Sequence, residues 1–338
     1  MEVLGFGRFV LTSCAAAAML AGCGGLRQGQ GDMQPPIGTT SAMPQTSTIA
    51  MQADRGKSWM LPAAKNEDLL YVSKLTKVLI YSYRSDEVVG VLTGFEYATG
   101  LCSDRDGNVW VTDSQTSEIS EYAHGGTKSI AILSDAQEPT GCAVDPRSGD
   151  LAVANYADNV FVYPHGSGNP GVYTAPDFYF MQFCSYDGSG NLFVDGYRDR
   201  RGLAPVGILK LSYGDMRLQR FEVGPKRNLH SAGPLQWDGR SVVMGYAGKP
   251  NNRIYRISDL GSTGKITKRT ELGVPAGGYI PGDLPFLLNG GKIIGAYEVY
   301  PERYYIAWWP YPRGGTAVKE FEVHGKYFPA GLALSVAP

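Results

Sequence analysis

Along residues 68–338 the apolar positions come in short runs bounded by Gly, Asp, Asn, Ser and Pro, and after residue 60 no stretch keeps a helical period for more than two turns. Such runs predict strands. They recur as a unit: a short apolar run, a turn, a second run ending in a polar loop, and two further runs. Three copies are clearest. One is Thr99-Gly100-Leu101-Cys102-Ser103-Asp104 followed by Gly107-Asn108-Val109-Trp110-Val111-Thr112-Asp113. A second is Thr140-Gly141-Cys142-Ala143-Val144-Asp145 followed by Gly149-Asp150-Leu151-Ala152-Val153-Ala154-Asn155. A third is Phe183-Cys184-Ser185-Tyr186-Asp187 followed by Gly190-Asn191-Leu192-Phe193-Val194-Asp195.

Equivalent first-strand positions are Leu101, Cys142, Cys184, Leu235, Phe286 and Leu332, spaced by 41, 42, 51, 51 and 46 residues. Repeats of about 40 to 50 residues match four-stranded propeller blades. The chain ends complement each other. Gly331-Leu332-Ala333-Leu334-Ser335 reads as a first strand with no blade after it, while the runs at 69–72, 78–83 and 88–92 read as a blade lacking its first strand. Residues 59–338 are therefore expected to form an all-β, six-bladed β-propeller of four-stranded antiparallel blades. Pairing the C-terminal strand with the N-terminal blade closes the ring and removes an open sheet edge. A seventh blade would need a further unit that the remaining sequence does not supply.

Composition narrows the classes. Lys and Arg total 31 against 32 Asp and Glu, a net charge of −1 on a chain that is 43% apolar. That balance gives no electrostatic footprint for nucleic acid. The 44 Gly, 21 Pro and 21 Tyr suit a strand-and-turn protein. A monomeric propeller is expected.

Residues 1–22 have a different character. A run of about a dozen apolar residues, Phe9 to Leu20, is too short to span a bilayer comfortably and fits a signal-peptide core. Leu20-Ala21-Gly22-Cys23 resembles the bacterial lipobox, which implies lipidation at Cys23 and membrane attachment through the N-terminal lipid. Acyl chains contribute about 0.8 kcal/mol per buried methylene, so two or three would hold the protein on the membrane. Gly24 rather than Asp follows the Cys, which under the enteric sorting rule implies the outer membrane, facing periplasm or surface. Residues 23–58 are rich in Gly, Gln, Ser, Thr and Pro and read as the lipidated Cys and a flexible tether.

The Gly-Leu-Cys/Ala-x-Asp and Gly-Asn-Val/Leu-Trp/Phe-Val pattern, best preserved over residues 99–196, resembles NHL-repeat and gluconolactonase-like six-bladed propellers. Later repeats keep the spacing and reduce the signature to Asp238-Gly239 and Asn289-Gly290. The resemblance supports a fold more than an activity.

Counting seven residues on from the Gly of each inner turn reaches Ser114, Tyr156, Tyr197, Tyr246 and Tyr297, with Lys74 equivalent in the first blade. In a propeller these positions share one rim. Loops entering the first strands add Tyr97, Tyr179, His230, Tyr279, Tyr327 and Phe328. Such tyrosines either form a ligand surface for a glycan, peptide or envelope protein, or wedge between blades as a repeated packing device.

Catalytic signatures are sparse. The four His show no metal-binding spacing, and His124 and His165 read as solvated turn residues. The gluconolactonase-like resemblance implies a divalent cation such as calcium held by Asp113 and Asn155, with Asp283, Glu298 and Glu302 as further oxygens if their loops fold inward. Later blades place Gly196, Gly245 and Ala296 in that column, so a metal-dependent lactonase is the second expectation. Asp104, Asp145, Asp187 and Asp238 read as turn caps. A bond between Cys102 and Cys142 requires opposite faces of neighbouring strands to meet; small buried thiols are the simpler reading. The first expectation is a lipid-anchored binding or scaffold module at the cell envelope, acting through an aromatic rim.

Overall fold

The computed structural model describes residues 56–134, 137–198, 206–224, 231–246, 252–259, 261–282 and 284–338. The signal segment, Cys23 and the tether up to residue 55 lie outside the described residues, as do His230, Asp283 and the side chain of Tyr246.

Two sheets are regular four-stranded units. One runs Pro139–Val144, Leu151–Asn155, Asn159–Tyr163, Gly171–Thr174, and the next runs Phe180–Tyr186, Leu192–Tyr197, Val206–Leu211, Gln219–Arg220. A six-stranded sheet is built on Leu235–Trp237, Val242–Tyr246, Arg253–Asp259 and Thr263–Gly273, and a five-stranded one on Phe286–Asn289, Lys292–Val299, Arg303–Pro310 and Lys319–Val323.

The N-terminal part departs from the predicted separate sheets. Val88–Ser103 is one 16-residue strand that pairs through its first part with Leu75–Ser82 and through its last part with Val109–Asp113, which joins two repeat units into an eight-stranded sheet. Its sequence holds no Pro to break it. It bends instead at Gly94, whose φ of +101 only glycine adopts readily, and at register shifts near Leu75 and between Ala98 and Leu101.

Second strands send alternate residues to opposite neighbours, which explains their continuous apolar runs. Leu69 and Tyr71 pack with Val109 and Val111, while Leu70 and Val72 pack with Ile294 and Ala296. Trp110 joins Leu151 and Val153 on its other side. Both faces of these strands are core, so the half-polar alternation of a one-sided sheet is absent.

The chain ends are stitched together. Leu69–Ser73 pairs antiparallel with Gly331–Ser335, from Leu69 opposite Ser335 to Ser73 opposite Gly331. Asp68 Oδ1 accepts the Ala337 N–H at 3.0 Å. Ser335 Oγ donates to the Gly107 carbonyl and meets His124 Nδ1 at 2.6 Å. His124 is thus half-buried at the seam rather than solvated, and burial lowers its basicity. His165 does sit in an exposed turn, with Nδ1 2.7 Å from the Ser148 carbonyl.

Cys102 and Cys142 form a disulfide, with Cα atoms 5.7 Å apart, against the simpler expectation of free thiols. The reason is close backbone approach. A Cβ on Gly100 would lie 2.7 Å from the Thr140 carbonyl and 2.8 Å from Gly141 Cα, so the two strands come together just beside the cysteines. Cys184 stays a buried thiol, pushed up to about 12 by burial.

Candidate functional site

The rim is held by a recurrent backbone link between the residue leaving a second strand and the loop entering the first. Ser114 N–H donates to the Tyr97 carbonyl at 3.1 Å, Tyr156 N–H to Glu138 at 3.0 Å, and Tyr179 N–H to Tyr197 at 2.7 Å. Aromatic residues of both loop sets therefore meet.

The densest meeting point is between the two four-stranded sheets. Tyr156 stacks on Phe180 with centroids 4.6 Å apart, Phe180 contacts Tyr197 at 4.9 Å, and Tyr179 sets its edge against Tyr156 at 6.5 Å. The ladder has a wet and a dry end. Tyr156 is 48% exposed and Tyr179 39%, whereas Phe180 and Tyr197 are each 8% exposed. Tyr197 also holds its blade to the next segment: its hydroxyl lies 2.8 Å from Ser231 Oγ and accepts the Ala232 N–H at 3.1 Å. Partial burial, with Tyr179 and Glu138 nearby, raises the Tyr156 phenol above its ordinary value. Beyond Tyr179, Asp177 pairs with Arg198 at 3.4 Å and with Arg220.

The other rim positions divide between packing and surface. Tyr297 is buried, stacks on Tyr305 at 5.0 Å and donates to Glu320 Oε2 at 3.0 Å, and burial together with that carboxylate raises its phenol strongly. Lys74 does not face the rim solvent. It is 1% exposed, with Nζ 3.3 Å from the Gly325 carbonyl and over the Tyr304 ring at 5.5 Å. Burial, reinforced by Lys77, lowers its ammonium to about 8. Ser114 is half-buried, its hydroxyl donating back to Tyr97. Tyr97 and Tyr279 are each 40% exposed, and Tyr279 donates to Glu298 Oε2 at 2.6 Å.

Of the candidate metal oxygens, those of Asp113 and Glu298 already accept hydrogen bonds, whereas the buried Asn155 Oδ1 has no partner among the described residues. Asp113 is a loop cap: its oxygens accept backbone N–H groups of Glu96 at 2.8 Å, Tyr97 at 2.9 Å, Gln115 at 3.2 Å and Thr116 at 3.3 Å. A carboxylate surrounded by donors is a poor cation ligand. Asn155 is fully buried and donates to Asn159 Oδ1 at 2.8 Å. Glu302 is exposed in a turn. Among the described residues no group of three or more His, Cys, Asp and Glu converges as a metal site. With Asp113 capped and Glu302 exposed, Asn155 Oδ1 stands alone, so the described residues do not assemble the oxygen set of the divalent centre that the gluconolactonase-like resemblance implies.

Reading the sequence by repeat position missed Phe180, the centre of the ladder, because it stands one residue beyond Tyr179; the Tyr179-Phe180 doublet was the available signal. It also missed Asp195. This fully buried carboxyl accepts the Phe183 N–H at 3.0 Å and the Gly233 N–H at 2.8 Å, tying neighbouring repeat units together. Burial raises it to about 8 against the lowering effect of those donors.

No family model matches the chain. NHL-repeat-containing protein 4 of Mus musculus is 34% identical over 73 residues, 21% of this chain and 53% of the mouse protein, so the chain spans about half the length of that curated relative. Among solved structures, a chain in the crystal structure of a nidogen/laminin complex superposes with a TM-score of 0.63 at 14% identity, covering 80% of this chain and 99% of that one. The Cps50 (Swd1) beta-propeller domain of Myceliophteria thermophila gives 0.53 at 13% identity, covering 81% and 89%. At such identities the likeness shows the fold alone. The protein is an all-β propeller with NHL-repeat similarity.

Proposed function

We propose that the protein is a six-bladed propeller, anchored at the bacterial cell envelope through Cys23, that binds a glycan, peptide or envelope protein through the exposed end of its aromatic ladder. The count of six is supported by the order of apolar contacts. Leu69 packs with Val109, Trp110 with Leu151, Ala152 with Leu192, Phe193 with Val242, Val243 with Ile293, and Ile294 with Leu70, returning to the starting strand after six steps. The Cys102–Cys142 bridge suits an oxidising compartment.

The observation carrying the binding role is the state of Tyr156, which is 48% exposed yet held flat against Phe180. A ring fixed by stacking offers contact area at little further cost in ordering. Tyr197 and Tyr297 serve as wedges between blades, leaving Tyr156 and Tyr179 as contact residues. The test is binding of the protein to glycan and peptide arrays built from envelope polymers. Tyr156→Ala and Tyr179→Ala should each weaken the recognised probe at least tenfold with an unchanged circular dichroism spectrum; full binding by the double variant would refute the assignment. Replacement of Cys23 by Ser should move the protein from the membrane to the soluble fraction, and retention on the membrane would refute the anchor.

A further inference from the structure

The ends of the first strands opposite the tyrosine rim enclose a second concavity. In the pairing of Val88–Ser103 with Val109–Asp113, Ala98 opposite Asp113 marks the rim end and Ser103 opposite Val109 the turn end. At that turn end, residues 101–103, 142–144, 146, 184–186, 236–237, 287–289 and 332–334 surround a funnel of about 380 Å³. Below it the same strands enclose a further cavity of about 50 Å³, and Leu101, Cys142, Cys184, Leu235, Phe286 and Leu332 all line it.

The chemistry of the funnel is distinctive. None of its lining residues is Asp, Glu, Lys, Arg or His. The neighbouring cleft of about 530 Å³ shows what the same face looks like elsewhere, with Asp104, Arg105, Glu121 and Arg147 among its walls. A charged ligand entering the funnel would shed water and find no counter-charge, at considerable cost. An uncharged one meets apolar walls such as Leu288 and Leu334, aromatic groups from Tyr186 and Trp237, and a few neutral hydrogen-bonding groups.

Those groups have spare capacity. Gln236 lines both the funnel and the cavity below it, and its side-chain amide makes no hydrogen bond among the described residues, so it offers a donor and an acceptor at the throat. Asn289 donates through Nδ2 to the Tyr83 hydroxyl at 3.3 Å, which leaves its Oδ1 as an acceptor. Alternating apolar faces and neutral hydrogen-bonding edges are what a pyranose ring presents, and the volume accommodates one or two such rings.

We propose that this funnel is a binding site for a neutral saccharide, with Gln236 as its principal polar contact. It is independent of the aromatic rim, which lies at the other end of the strands. The test uses calorimetric titration of the full protein with cellobiose and with N,N′-diacetylchitobiose, and with glucuronate and glucosamine as charged comparisons. Saturable binding of at least one neutral disaccharide is expected, at least tenfold tighter than either charged sugar. Gln236→Leu should weaken it tenfold or more, and Met216→Ala, at an exposed residue outside both the funnel and the aromatic ladder, should leave it unchanged. Gln236→Glu provides the second variant: binding should be lost near neutral pH and regained as the pH falls through the carboxylate range. The proposal is overturned if neither disaccharide binds up to tens of millimolar, if charged sugars bind equally well, or if the Gln236 variants leave binding unchanged.

Discussion

Reduction of the Cys102–Cys142 bridge should be the largest single-bond perturbation available to this propeller. The two cysteines belong to neighbouring first strands that lie in different sheets and are separated by 40 positions in sequence. Opening a loop of that length restores denatured-state entropy worth about 3.9 kcal/mol at 25 °C in the chain-entropy account. Native packing changes little, because the thiols remain where the strands already touch at Gly100 and Gly141. Urea unfolding followed by tryptophan emission reads the effect, since Trp110 and Trp309 are 3% and 0% exposed and will redden on unfolding. The wild type should lose roughly 3–4 kcal/mol on addition of a reductant. The double variant Cys102→Ala, Cys142→Ala should start destabilised and show no reductant effect. Cys184→Ala should keep the reductant response, because its buried thiol takes no part in the bridge. A wild-type transition that shifts by less than about 1 kcal/mol with reductant would refute both the bridge and the loop-closure argument.

Further outcomes follow from the buried polar groups and the seam. Asp195 is held at about 8 in the fold against an ordinary 3.8, so the native state carries the extra proton between those values and stability should fall as pH rises from about 4 to 8, by at most about 1.4 kcal/mol per pH unit. Urea midpoints across that range should show the decline, and Asp195→Asn should remove it. Lys74 works in the opposite sense: with its folded value near 8 and an ordinary 10.5, stability should rise between those pH values, and Lys74→Met should abolish that rise. Asp113→Asn sets an amide N–H against a backbone donor and should cost about 1–3 kcal/mol, with calcium protecting neither form in thermal unfolding. Gly107→Ala should destabilise by more than about 1 kcal/mol, because φ is +80 and the new Cβ would lie 2.5 Å from the Val336 carbonyl at the ring seam; an unchanged melting temperature would contradict the closure geometry.

What the sequence made legible was whatever repeats. Strand positions follow the apolar runs because each second strand is buried on both faces, and the closing strand at residues 331–335 follows from the missing first strand of the opening unit. Repetition also misleads, since equal positions in equal units need not have equal surroundings. Tyr156 and Tyr297 occupy the same place in their repeats, yet one is 48% exposed and the other 1%. The difference is set by residues outside the repeat signature. Tyr305 and Glu320, on the third and fourth strands of their sheet, cover the ring and hydroxyl of Tyr297, while Phe180 supports Tyr156 from beneath and leaves its outer face uncovered. The same logic removes Asp113 from metal chemistry, because four local backbone donors reach its carboxylate. Function in this propeller is therefore to be sought where the repeat pattern is broken by a neighbour that supports a group without covering it. Tyr156 on the rim meets that condition, and so does Gln236 in the funnel, whose amide is placed at the throat with its hydrogen bonds unclaimed among the described residues.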